Sequence, residues 1–87
     1  MSVWRVLTTD EAEEDLDVLD SVIRRRVLGK LVWLQDNFDN IIPIPLGAGW
    51  RGFFKLRLGD WRVIYEVDIL KNEIIIHRAG HRSQVYK

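Results

Sequence analysis

The sequence predicts an α+β domain: an N-terminal strand, an α-helical hairpin, then a three-stranded antiparallel meander, forming one curved antiparallel sheet with the helices on one face. Three observations carry this. Apolar residues recur at three- and four-residue steps from Leu16 to Phe38, the period of a helix face. Two alternating runs flank Gly59-Asp60, a reversal of the glycine-first kind. A last β-branched run contains Ile74-Ile75-Ile76. With 87 residues the chain makes one domain, 1–87. Its helical and sheet apolar surfaces must therefore cover each other.

Taken in order, Val3 to Thr8 is rich in β-branched and aromatic residues and reads as the first strand. Thr8 and Thr9 precede Asp10-Glu11-Ala12-Glu13-Glu14, so hydroxyl caps and carboxylates stand where a helix N-terminus favours them. Leu16, Leu19, Ile23, Val27, Leu31, Leu34 and Phe38 form one stripe, and Asp20-Ser21 interrupts it as a second N-cap. Two helices are expected, over 10–19 and 22–37. The stretch from Ile41 to Gly49 holds two prolines and two glycines and reads as a connecting loop. Glycine at the first turn position fixes the register of the following hairpin: Leu58 opposite Trp61, Arg57 opposite Arg62, Leu56 opposite Val63, Lys55 opposite Ile64, Phe54 opposite Tyr65 and Phe53 opposite Glu66. Cross-strand partners share a face, so Phe54, Leu56, Leu58, Trp61, Val63 and Tyr65 form an apolar side. Lys55, Arg57 and Arg62 emerge together on the other. After a turn at Asp68 to Asn72, the final strand runs from Glu73 to Ala79, and Gly80 to Tyr86 is a polar tail.

Composition narrows the function. There is no cysteine, which removes disulfides, thiolate chemistry and the usual zinc sites. Two separated histidines, without acidic residues at ligand spacing, argue against a metal site. No apolar run approaches the length of a membrane span, and the opening residues lack the pattern of a secretory signal. The expectation is a soluble cytoplasmic protein without membrane partner, metal or small-molecule cofactor. The formal net charge is zero, yet residues 1–46 carry five basic against nine acidic side chains, while residues 47–87 carry eight against four. A polyanion would be drawn to the second part and repelled by the first.

A plain solvated charge face would account for three cations on a sheet. The single sign of the cluster, its convergence with Arg82, and the flat side chains of Phe53 and Tyr86 point instead to RNA, whose phosphates arginine grips bidentately and whose bases stack on aromatic rings. Arg51 and Arg78 extend the candidate RNA-contacting set of Arg57 and Phe53. His77 lies inside an apolar strand and reads as a structural histidine. His81 is either a polar loop residue or a proton-transfer group.

The string Lys55-Leu56-Arg57-Leu58-Gly59-Asp60-Trp61-Arg62-Val63-Ile64-Tyr65-Glu66-Val67, followed by Ile76-His77-Arg78-Ala79-Gly80-His81-Arg82-Ser83-Gln84-Val85-Tyr86, resembles the RelE branch of the RelE/ParE toxin superfamily. The order of elements is similar over nearly the whole chain. The resemblance implies a toxin that enters the ribosomal A site, cleaves messenger RNA there and is held inactive by a cognate antitoxin protein. It implies that Lys55 is the catalytic lysine, Arg62 the hairpin arginine, Arg82 the arginine after the last strand, and Tyr86 the terminal aromatic at the reacting nucleotide. Phe53 stands where ribosome-dependent members carry a second lysine, and His81 is a candidate to replace it as acid or base. Trp50 is a cap on the core or an antitoxin contact.

The implied chemistry is attack of the ribose 2′-hydroxyl on the adjacent phosphate. Arginine stays protonated, so Arg57, Arg62 and Arg82 are assigned to phosphate binding and charge stabilisation, and Lys55, crowded by cations, to proton removal. Two other readings stay open. One is a ParE-like protein that poisons DNA gyrase without cleaving anything. The other is a catalytically attenuated homologue that mainly binds its antitoxin.

Overall fold

The computed structural model describes residues 3–47 and 49–86; Met1, Ser2, Ala48 and Lys87, the last counted among the basic residues above, lie outside the described residues. The elements are β1 (Arg5–Thr8), α1 (Asp10–Asp17), α2 (Ser21–Asn37), a 3-10 turn (Phe38–Asn40), β2 (Ile44–Pro45), β3 (Phe53–Leu58), β4 (Trp61–Asp68) and β5 (Glu73–His81). They form one five-stranded sheet in the order β1-β5-β4-β3-β2.

The α+β class and the helical hairpin are as expected, with two corrections to the sheet. It is mixed rather than wholly antiparallel, because β1 lies parallel to β5, Arg5 beside Glu73 through Thr8 beside Ile76. Alternation of side chains assigns a strand its faces but carries no direction, so the sequence could not settle this pairing. The proline-containing loop also contributes a strand: Ile44 and Pro45 pair with Lys55 and Phe54. As an edge strand it tolerates a proline that lacks a donor. The last strand runs on to His81, past the expected end at Ala79.

The helices start and stop for local reasons. Thr9 caps α1 by accepting from the Ala12 N–H at 3.1 Å, and Asp10, Glu11 and Glu13 occupy its first turn. Its C-terminal carbonyls are satisfied from the next helix. Arg24 donates to Leu16 O at 2.8 Å, Asp17 O at 2.8 Å and Leu19 O at 2.9 Å, so one α2 side chain clamps the hairpin. Asp20 occupies the N-cap position of α2 without a side-chain cap bond.

The predicted stripe packs on the predicted sheet face. Leu16, Val27, Leu31 and Leu34 meet Val63, Tyr65, Ile74 and Ile76 in one buried cluster, with Phe54, Leu56, Leu58 and Trp61 against it. Phe38 bridges the layers, edge-on to Trp4 at 4.7 Å and to Tyr65 at 6.2 Å. Gln35 of α2 accepts from the Val6 N–H at 2.8 Å, which occupies a donor on the outer edge of β1.

Tyr65 is 1% exposed, and burial pushes its pKa up to about 12. An exposed tyrosine ionises near pH ~10. The folded chain therefore holds this proton after the unfolded chain has lost it, and stability is complete below about pH 10 and falls as pH rises toward about 12, by roughly 2–3 kcal/mol. Urea unfolding across this range should show the decline in the wild type and a shallower one in Tyr65→Phe; equal slopes would mean that the phenol is not responsible.

Candidate nucleic-acid interface

Gly59 adopts φ +59°, a conformation costly for residues with a Cβ. The β3–β4 register that follows pairs Leu58 with Trp61, Arg57 with Arg62, Lys55 with Ile64 and Phe53 with Glu66. This is the register expected from sequence. Lys55, Arg57 and Arg62 accordingly share the sheet face turned away from the helices, here called the open face.

These cations are not equivalent. Arg57 is exposed and Lys55 half-buried. Arg62 is 8% exposed, and its Nη1 donates to Gly59 O at 2.7 Å and to Trp61 O at 2.8 Å. It braces the reversal that displays the other two. Arg82 comes from beyond β5 yet is moored to the same reversal, through its backbone N–H to Asp60 O at 2.9 Å and a guanidinium–carboxylate approach to Asp60 at 3.8 Å. Its side chain remains 62% exposed, which leaves it available to an anion.

The remaining candidates divide. Arg51 is exposed in the loop before β3. Phe53 is edge-on to Trp50 at 5.9 Å and to His77 at 5.2 Å, which gives the open face an aromatic group at one end. Tyr86 is 38% exposed at the C-terminal turn. Arg78 is drawn away from phosphate duty: its Nε donates to Asp15 at 2.7 Å, Glu11 lies 4.0 Å away, and Asp15 also accepts from the Ala79 N–H at 3.0 Å. The Asp15 hydrogen bond raises the Arg78 pKa, against the opposing effect of burial. His81 pairs with Trp61, whose ring packs on the helical core, so the register puts it on the helix side rather than beside Lys55. There its Nδ1 accepts from the Ser83 N–H at 3.1 Å and meets the Ser83 hydroxyl at 2.8 Å.

The sequence reading missed three features of this face. Ile64, opposite Lys55, is 1% exposed and makes an apolar floor under the cations. The tail is not simply polar: Gln84 and Val85 donate to His81 O, and Val85, 3% exposed, lies where a Cβ on Gly80 would come within 3.9 Å of its own. Finally, the register slips between Ile64 and Tyr65, pairing them with Arg78 and Ile76, so His77 has no opposite residue on β4. It turns to Phe53 and to Glu66, its Nε2 2.8 Å from Glu66 Oε1. The pairing of Glu66 with Phe53 was a signal that this carboxylate joins the open face; the slip that brings His77 to it left none.

Removing the Arg62 guanidinium should cost roughly 2 kcal/mol, since it leaves two turn carbonyls without their charged donor. Urea denaturation of Arg62→Ala measures this, and an unchanged midpoint would show that the brace contributes nothing.

Residues 6–86 match the model of a family described as the ParE toxin of type II toxin–antitoxin systems. A search of curated proteins gives no match. Among solved structures, a chain of the toxin–antitoxin complex RelBE2 from Mycobacterium tuberculosis is 27% identical, with 93% of this chain and 100% of that one covered and a TM-score of 0.83. The archaeal RelE–RelB complex from Pyrococcus horikoshii contains a chain 26% identical, covering 97% and 100%, with a TM-score of 0.72. The isolated RelE toxin of E. coli, 19% identical over 90% of this chain and 83% of that one, shares the fold with a TM-score of 0.73.

Proposed function

The chain belongs to the ParE toxin family of type II toxin–antitoxin systems, within the RelE/ParE superfamily, and from its basic open face we propose that it is a ribosome-dependent endoribonuclease that stops translation by cutting messenger RNA. A cognate antitoxin is its protein partner, and RNA on the ribosome its target.

The observation that carries this reading is the hairpin register, which gathers Lys55, Arg57 and Arg62 on one rigid face, together with the mooring of Arg82 at the same reversal. Cleavage by 2′-hydroxyl attack forms the 2′-O–P bond and breaks the P–O5′ bond, leaving a cyclic phosphate and a 5′-hydroxyl. Charge builds on the non-bridging oxygens as the attacking oxygen arrives. Arg82 and Arg57 offer bidentate donors to those oxygens, and Arg62 holds the strands that aim them. Arginine does not give up its proton, so proton transfer falls to Lys55. Tyr86 and Phe53 supply surfaces for bases, and Arg51 a contact to the backbone at the rim. The acidic α1 opposes the approach of RNA from the helix side, which orients binding.

The family match favours one second reading, ParE-type inhibition of DNA gyrase. The two readings part in a direct comparison. The purified chain should block translation in a reconstituted system and leave gyrase supercoiling unaffected, and Arg82→Ala should weaken the block by about 100-fold. Inhibited supercoiling with translation intact would replace the ribonuclease reading by the gyrase one.

A further inference from the structure

We propose that Glu66 and His77 form a second proton-transfer site on the open face, His77 rather than Lys55 taking the proton from the attacking 2′-hydroxyl while Lys55 delivers one to the departing 5′-oxygen. This deepens the ribonuclease reading and rests on it.

The chemistry requires two proton transfers at opposite ends of one phosphate. The arginines of the face can perform neither. On this face β3 supplies one proton-transfer side chain, Lys55, and its same-face neighbour Phe53 is a phenyl ring. The structure brings a group of the needed type to that ring from another strand. His77 lies with its ring centroid 5.2 Å from that of Phe53, and residues two apart on a strand stand only about 7 Å apart. His77 therefore stands against Phe53, the same-face neighbour of Lys55 on β3.

The pairing with Glu66 gives the imidazole a defined role. The 2.8 Å contact is between His77 Nε2 and Glu66 Oε1. A carboxylate accepts, so in the neutral ring the proton sits on Nε2 and the lone pair on Nδ1. That is the form a general base needs, with the carboxylate supporting the charge that appears on the ring once Nδ1 takes the 2′-hydroxyl proton. In the same step the 2′-oxygen bonds to phosphorus, the P–O5′ bond breaks, and the Lys55 ammonium protonates the leaving oxygen. Side-chain exposures of 31% for His77 and 44% for Glu66 leave the pair open to a substrate. The slip of register at His77 is itself the device that turns this ring toward Glu66, and irregularities of this kind often re-aim a side chain beside a site. Among the described residues, the charged group in contact with His77 is Glu66 on β4, and the adjacent Arg78 on β5 is engaged by Asp15 of α1.

The test is cleavage of messenger RNA on programmed ribosomes by the wild type, His77→Gln and Glu66→Gln, at saturating toxin, with rate followed against pH and ribosome binding measured in parallel. His77→Gln should lower the cleavage rate by about 100-fold or more and change the shape of its pH profile, with binding retained. Glu66→Gln still accepts from Nε2 but lacks the charge, and should lose about 10-fold with a displaced pH profile. Wild-type rates and profiles in both variants, or losses of cleavage matched by equal losses of ribosome binding, would overturn this inference while the nuclease reading stands. Absence of cleavage by the wild type would overturn both.

Discussion

A glycine held at φ +59° decides which side chains of the β3–β4 hairpin face outward. Because strands alternate with a period of two, a slip of one residue at the β3–β4 reversal would send Lys55 and Arg57 into the helices and Leu56 and Leu58 into solvent. The apolar stripe of the helical hairpin enforces the same answer from the opposite side, since it finds a complementary surface only in the observed register. Turn and core agree, and the basic face follows from both. Arg62 then ties the two together: it is placed by the reversal and returns its guanidinium to the reversal's own carbonyls.

Electrostatics divide the cations by task. A neutral chain cannot display its positive charge uniformly, and the fold spends part of it internally. Arg24 satisfies the end of α1, Arg62 the hairpin turn, and Arg78 is held by Asp15 with Glu11 near. On the open face and at its rim, Lys55, Arg57, Arg51 and the partly exposed Arg82 face an external anion. A count of basic residues thus overstates the charge open to an external polyanion. Screening also favours this arrangement, because at physiological salt only charges within about 8 Å of a phosphate contribute strongly.

Much of this was legible in the sequence, for definite reasons. The helix stripe, the cap at Thr9, the break between the helices at Asp20 and the hairpin pairing all rest on local periodicity or local turn chemistry, which a single chain displays openly. What was not legible depends on meetings between distant segments. Nothing near Val6 announces that β1 runs parallel to β5, and nothing near Pro45 announces that it will lie beside Phe54. The same holds at the site. Lys55, Arg57 and Arg62 could be gathered on one face from the turn alone. The burial of Arg62, the capture of Arg78 by α1, the turning of His81 toward the helix side and the meeting of His77 with Glu66 each required the tertiary path. His77 read as a structural histidine because its strand is apolar; one irregular pairing in β5 changed its surroundings.

In the proposed function the open face promotes attack by a ribose 2′-hydroxyl. It is tested most directly by the ends of the RNA fragments that the chain generates on ribosomes, compared for a normal message and one carrying a single 2′-deoxy sugar at the cut position. Cyclic phosphate and 5′-hydroxyl ends, with no cutting of the deoxy message, are predicted. Cutting that survives loss of the 2′-hydroxyl, or 5′-phosphate ends, would contradict the account.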